Sequence, residues 1–151
     1  MALEPGDAAP EVAAPNQDGE TVEPDWAGVS VVYFYPKDDT PGCTTEAEQF
    51  QAELESYREA GVTVYGVSVD GVASHADFAD EYGIEFDLLA DPDGEVVDAF
   101  DVDRTRGVAS RTTFVVVGES IQAVYTGVDA DGHARNVLAD LVETGVVSLD
   151  D

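Results

Sequence analysis

Apolar residues cluster in this chain with two distinct periods. Ser30 to Tyr35 (SVVYFY), Val62 to Val69 (VTVYGVSV) and Thr112 to Val117 (TTFVVV) are short, nearly unbroken apolar runs, the pattern of strands buried on both faces. Elsewhere the apolar positions recur with helical spacing. Phe50, Leu54 and Tyr57 share one face of a helix predicted over 43–60, which Gly61 stops. Phe78 and Tyr82 share a face of a helix over 72–82 ended by Gly83, and Val137, Leu138 and Leu141 one over 133–142, before Gly145. Phe86 to Leu89 is short and apolar, Asp91-Pro92-Asp93-Gly94 is a turn, and Glu95 to Phe100 is expected as a strand. Gly118 to Ser120 turns the chain into a strand over 121–125, making a late hairpin. Residues 1–28, rich in Pro, Gly, Asp and Ala, read as a loop-like lead-in with a hairpin across Asn16 to Gly19. Strands alternating with helices, with neither repeat nor linker, indicate a single α/β domain over residues 1–151 with a mixed sheet.

Charge changes the picture of the surface rather than of the fold. The chain carries 33 Asp and Glu against 6 Lys and Arg, a formal net charge of -27, and Lys37 is its one lysine. The regular apolar segments argue against disorder, so the excess fits a hydrated acidic surface that salt screens, as in a salt-adapted organism such as a halophilic archaeon. No basic patch can be assembled for nucleic acid, and an anionic membrane would repel this surface. The N-terminus lacks a basic start and a long apolar stretch, no run approaches a membrane span, and one free cysteine fits a reducing interior; the expected location is the cytoplasm.

The single cysteine, Cys43, follows the apolar run ending at Tyr35, then Pro36 and a loop from Lys37 to Gly42, and it opens the predicted helix. A thiol there faces unpaired backbone N–H groups and the positive end of the helix dipole, which favour the nucleophilic thiolate. Strand–loop–helix junctions are also where open α/β sheets place ligands. Pro41-Gly42 and the polar Thr40, Thr44 and Thr45 set this cysteine apart from an inert buried thiol. Thr44 and Thr45 suit the first turn or cap, and Glu46 and Glu48 its positive end. Arg111, at the entry to the Thr112–Val117 run, reads in two ways. Its guanidinium could stand beside the thiolate and hold a substrate oxygen, or it could make a surface salt bridge on an acidic protein.

Pro36, Thr40 and Cys43 fit the pattern Pro-x-x-x-Thr-x-x-Cys. The run PKDDTPGCTTEA, together with GDAAPEV, VYGVSVD, SHADFADEYGIEFDLLAD and RTTFVV, resembles the peroxiredoxins, in particular the peroxiredoxin Q subgroup, also called bacterioferritin comigratory proteins. The resemblance implies a thioredoxin-like fold and a thiol-dependent peroxidase acting on hydrogen peroxide and organic hydroperoxides, without a cofactor. It implies that Cys43 is the peroxidatic thiol, that Arg111 is the active-site arginine, and that Thr40 contacts the peroxide. Pro36 shields the loop, and the backbone N–H groups near Gly42 stabilise the transition state. Glu46 resembles a position that orients the arginine; a helix-start carboxylate near the dipole is its local alternative. Many members of the subgroup carry a resolving cysteine where this chain has Glu48, and the predicted helix over 72–82 has none either. The chain therefore resembles a one-cysteine type that needs an external thiol or a thioredoxin-like reductant. A monomer or weak dimer is expected. Two rival classes are a thiol-based peroxide sensor that passes oxidation to a partner protein, and a non-enzymatic scaffold of the same fold.

Other features carry less. His75 and His133 lie far apart without a partner at metal-ligand spacing, so no metal site is expected. The runs DPDGE at Asp91 and DADG at Asp129 lack the ligand spacing of a calcium loop and read as turns on an acidic surface. No Gly-rich phosphate cradle follows a strand. Tyr33, Phe34 and Tyr35 read as core.

Overall fold

A computed structural model describes residues 3–38, 40–105, 107–126 and 128–146; Asp39 of the motif loop lies outside them. In chain order the elements are β1 (Ala14–Pro15), β2 (Thr21–Val22), β3 (Val29–Phe34), α1 (Pro41–Ala52), α2 (Leu54–Glu59), β4 (Val62–Ser68) and α3 (Val72–Tyr82). They continue as β5 (Asp87–Ala90), α4 (Glu95–Ala99), β6 (Arg104–Thr105), β7 (Val108–Ala109), β8 (Thr112–Val117), β9 (Ser120–Thr126) and α5 (His133–Glu143).

The three apolar runs become the middle of one sheet, with strand order β5-β4-β3-β8-β9. β3 pairs parallel with β4 and β4 with β5, whereas β3–β8 and β8–β9 are antiparallel. Both faces are covered, which is why the strands read as continuous apolar runs rather than alternating ones. Val31, Tyr33 and Tyr35 point to a core shared with Cys43, Phe50, Tyr57, Phe78 and Leu138. Val32 and Phe34 point to the opposite core, with Trp26, Val97, Phe100 and Phe114. Tyr33 and Phe50 stack with centroids 4.5 Å apart, and Phe34 meets Phe114 edge-on at 5.8 Å. Each such pair adds about 0.5–1.5 kcal/mol beyond the area it buries. The result is the expected central mixed sheet flanked by helices.

Three expectations need correction. The helix placed at 43–60 begins at Pro41 and is divided at Glu53, whose backbone (φ -95°, ψ 2°) leaves the helical region. Thr40 is its extended N-cap, and proline's fixed φ and missing N–H suit the first helical position. Thr44 and Thr45 therefore lie past the cap. The bonds from Glu53 N–H to the Gln49 carbonyl and from Tyr57 N–H to the Glu53 carbonyl cross the division, so the helix bends there and both Leu54 and Tyr57 stay buried.

The strand expected at Glu95 to Phe100 is the helix α4. The side chain of Asp91 accepts the N–H groups of Val96 and Val97, at 3.0 and 2.9 Å, which satisfies the first turn. Gly94 enters the helix at φ +74°, a left-handed conformation that favours glycine, and the Arg104 guanidinium lies against it where a Cβ would be. The third correction is an addition. The pair β6–β7 carries no periodic signal in two-residue strands, yet Arg104 fixes it by donating to the Gly94 carbonyl and to Asp98.

The expected turns and helix end also form. β1 and β2 pair across Asn16 to Gly19, Gly83 ends α3 in the left-handed region, and Gly118 and Glu119 make the two-residue turn between β8 and β9 with positive φ at both.

Candidate active site

Cys43 is the third residue of α1 and is only 1% exposed. The first helical N–H to find a carbonyl is that of Thr44, bonded to Thr40 at 2.8 Å. The N–H groups of Gly42 and Cys43 precede it and have no partner within the helix. Arg111 reaches the sulfur through the pairing of β3 with β8. Phe34 faces Thr112 at the end of that ladder, so Tyr35 and Arg111 follow as the next opposed residues. The odd positions Val31, Tyr33 and Tyr35 face α1, and Val115 lies on that side too. Alternation then puts Arg111 on the α1 face, 68 positions from Cys43 in sequence.

Arg111 uses both ends of its fork. Nη2 donates to Cys43 Sγ at 3.4 Å, and Nη1 donates to Glu46 Oε1 at 2.5 Å. A Cβ at Gly42 would lie 3.1 Å from Nη2, so glycine leaves room for the guanidinium to lie against the helix start. Arg111 is not a surface ion pair, and Glu46, the sixth residue of α1, is buried against the arginine rather than placed at the dipole end. Thr40 and Pro36 are half-buried on the same loop. The Thr40 hydroxyl donates to the Lys37 carbonyl at 3.0 Å, leaving its lone pairs as acceptors. Glu48 is exposed on α1.

Glu46 and Arg111 respond differently to one another. Burial drives the Glu46 carboxyl up from the usual 4.5 to about 7, more than Arg111 pulls it down. Burial also opposes the charge on Arg111, but there Glu46 and Cys43 win and hold its pKa above the ordinary value. The asymmetry follows from exposure: the Arg111 side chain is 19% exposed and that of Glu46 is fully buried, with Oε2 unpartnered. A carboxyl whose folded pKa is raised stabilises the fold below its unfolded pKa, and that contribution is lost as pH rises through the folded value. The stability advantage of the parent over Glu46→Gln should therefore shrink from pH 4.5 to about 7 and then level off. Thermal midpoints of both proteins across this window measure it, and a gap independent of pH would contradict a raised Glu46.

The sequence left both histidines without partners, and the structure gives each one. His133 Nε2 lies 2.8 Å from Thr113 Oγ1, and its ring packs edge-on against Phe50 and Tyr125. Burial, followed by the Arg111 charge, pushes its pKa down to about 4, so it stands behind the arginine as a neutral ring. His75 Nδ1 lies 2.6 Å from Asp38 Oδ2. Asp38, Asp70 and His75 each bring one donor atom within 4.8 Å of the others. Those atoms are engaged in hydrogen bonds with one another and with Tyr35, Ser68, Ser74 and backbone groups. The only advance signal for Asp38 was its place inside the PKDDTPGC run.

A family model described as the AhpC/TSA family matches residues 5–123. The chain belongs to the AhpC/TSA family. Within it this AhpC/TSA protein falls in the Bcp, or peroxiredoxin Q, subgroup, with one cysteine. Peroxiredoxin Bcp of Xanthomonas campestris is 42% identical to it over 120 residues, 74% of each chain. Peroxidoxin BcpB of Mycobacterium tuberculosis aligns with a TM-score of 0.87 at 31% identity, covering 93% of this chain and 97% of that one. The bacterioferritin comigratory protein of Xanthomonas campestris, solved in connection with its alkyl peroxide reduction activity, aligns with a TM-score of 0.86 at 33% identity over 97% and 99% of the two chains. The fold is thioredoxin-like, and the class of activity that comes with this AhpC/TSA membership is thiol-dependent peroxide reduction.

Proposed function

We propose that the protein reduces hydrogen peroxide and organic hydroperoxides at Cys43, with an external thiol as reductant. The observation that carries this reading is the Arg111 N–H donated to the Cys43 sulfur at 3.4 Å. The alkyl peroxide activity named for the Xanthomonas campestris relative supports including organic hydroperoxides.

The Cys43 thiolate attacks the nearer peroxide oxygen. An S–O bond forms and the O–O bond breaks. The departing oxygen takes a proton and leaves as water or an alcohol, and Cys43 becomes a sulfenic acid. Thr40 accepts the hydrogen bond of the peroxide O–H, because its own hydrogen is held by the Lys37 carbonyl. Arg111 and the free N–H groups of Gly42 and Cys43 stabilise the negative charge as it moves onto the leaving oxygen. Pro36 limits the entry of water at the loop. A first external thiol then displaces water from the sulfenic acid to give a mixed disulfide, and a second releases Cys43 with formation of the external disulfide. The chain has no second cysteine to close an internal bridge, so a small thiol or a thioredoxin-like protein fills both steps. The acidic surface and lone cysteine support a cytoplasmic setting in a salt-adapted organism. A thermal midpoint that does not rise with molar potassium chloride would remove the salt-adaptation part.

Intact-mass measurement tests the reading. Stoichiometric peroxide adds a single oxygen to Cys43, excess adds a second, and thiol added after the first restores the parent mass. A thiol that stays unmodified under millimolar peroxide rejects the peroxidase. Oxidation without turnover in any thiol, but with a protein trapped as a mixed disulfide, favours the sensor.

A further inference from the structure

The loop between β3 and α1 is held from behind by a buried polar cluster. Tyr35 Oη donates to Asp38 Oδ1 at 2.7 Å, closing the turn over Pro36 and Lys37. Asp38 Oδ2 receives the Ser74 hydroxyl at 2.8 Å and faces His75 Nδ1 at 2.6 Å. The backbone N–H of Asp38 donates to Asp70 Oδ2 at 2.7 Å, and Asp70 is itself fixed by the Ser68 hydroxyl. His75 Nε2 lies 3.0 Å from the Leu89 carbonyl. That carbonyl only accepts, so Nε2 serves it as the donor, and Nδ1 is the ring nitrogen turned to the Asp38 carboxyl. Burial works against the Asp38 charge, but the hydrogen bond and charge of His75, with the bonds from Tyr35 and Ser74, hold its carboxyl below the ordinary range. His75 is fully buried and Asp38 is 6% exposed. The cluster gathers groups from the carboxyl ends of the parallel strands β3, β4 and β5 and the first turn of α3. Among the described residues it makes no hydrogen bond to the sulfur or to Arg111. It meets the loop ahead of the reacting groups at Asp38, two residues before Thr40, the N-cap of α1.

We propose that His75, acting through Asp38, is a positioning residue for the peroxide step: it fixes the turn that aims the Thr40 hydroxyl at the peroxide bound beside Cys43. This rests on the peroxidase reading above. A buried pair spanning 37 positions adds a hold from outside the loop, where among the described residues the Thr40 hydroxyl bonds to the nearby Lys37 carbonyl. Displacement of an aligned group by about 1 Å can cost on the order of a hundredfold in rate. The pair is thus placed to govern the chemistry from outside the site.

The test compares two reactions of the same sulfur. Peroxide oxidation needs Thr40 in place, whereas alkylation by iodoacetamide needs only a reactive, reachable thiol. His75→Gln offers one amide, which cannot serve both Asp38 and the Leu89 carbonyl. It should slow peroxide oxidation on the order of tenfold to a hundredfold and leave the alkylation rate at the parent value. In a Thr40→Val background the same substitution should lose most of its effect. Ser74→Ala and Tyr35→Phe each remove one donor to Asp38 but keep the ring, and should lower the ratio of peroxide to iodoacetamide rates by smaller factors. An unchanged ratio in all three variants overturns the inference, as does an undiminished His75→Gln loss in the Thr40→Val background. If the parent reacts with iodoacetamide but not with peroxide, the functional reading fails and takes this inference with it. If the parent reacts with peroxide and the variants match it, the inference alone fails.

Discussion

Cys43→Ser should abolish thiol-dependent peroxide consumption while leaving the protein folded. A serine hydroxyl is not ionised near neutral pH, and its oxygen has neither the nucleophilicity nor the sulfenic chemistry of sulfur. The fold should tolerate the change because the two side chains are nearly the same size in a site only 1% exposed. A buried hydroxyl without a partner would cost about 1–3 kcal/mol. Here the Arg111 N–H that now points at Sγ from 3.4 Å can serve it. Peroxide consumption in a coupled thiol assay, set beside circular dichroism of the same samples, measures both halves. Activity persisting in folded Cys43→Ser would place the chemistry elsewhere in the chain.

Arg111→Lys should slow oxidation of Cys43 by roughly tenfold to a thousandfold, where outright loss of a donor to a developing charge costs about a hundredfold to a thousandfold. Lysine keeps the charge but not the fork. The parent side chain donates to Glu46 through one nitrogen and to Cys43 through another, and a single ammonium cannot hold both geometries. Lysine is the informative replacement. Alanine would leave the buried Glu46 carboxyl without its partner and open space beside the sulfur, which would mix stability with rate. Stopped-flow oxidation rates indistinguishable from the parent would take Arg111 out of the transition state.

The central strands were legible because packing on both sides leaves little room for polar residues, so SVVYFY and TTFVVV announce themselves. The helices at Val72 and His133 were equally legible from their apolar faces and the glycines that stop them. The segment at Glu95 was not. Two adjacent valines favour a strand locally, and the deciding contribution is the Asp91 side chain satisfying the N–H groups of Val96 and Val97. In the site, Pro36, Thr40 and Cys43 lie close together and show themselves as a motif. Arg111 was visible only as a cation at a strand entry, since its contact with the sulfur depends on which strands pair and in what register. Asp38 and His75 gave no joint signal, because each is an ordinary polar residue until α3 packs beside β5 and buries them together.

The pairing of Phe34 with Thr112 has a consequence for how the protein fails. Arg111 leads into β8 in the middle of the sheet, and Cys43 sits on α1 just beyond the loop that leaves the neighbouring β3. A slip of one residue would turn Arg111 to the opposite face. The place of Arg111 is therefore set by the backbone ladder, among the last parts to open, and that of Cys43 by a loop that the buried Asp38–His75 pair ties to the sheet. Loss of activity on heating should coincide with loss of the whole tertiary structure, with no inactive but folded stage before it. A simple rate assay then serves as a thermometer for global unfolding.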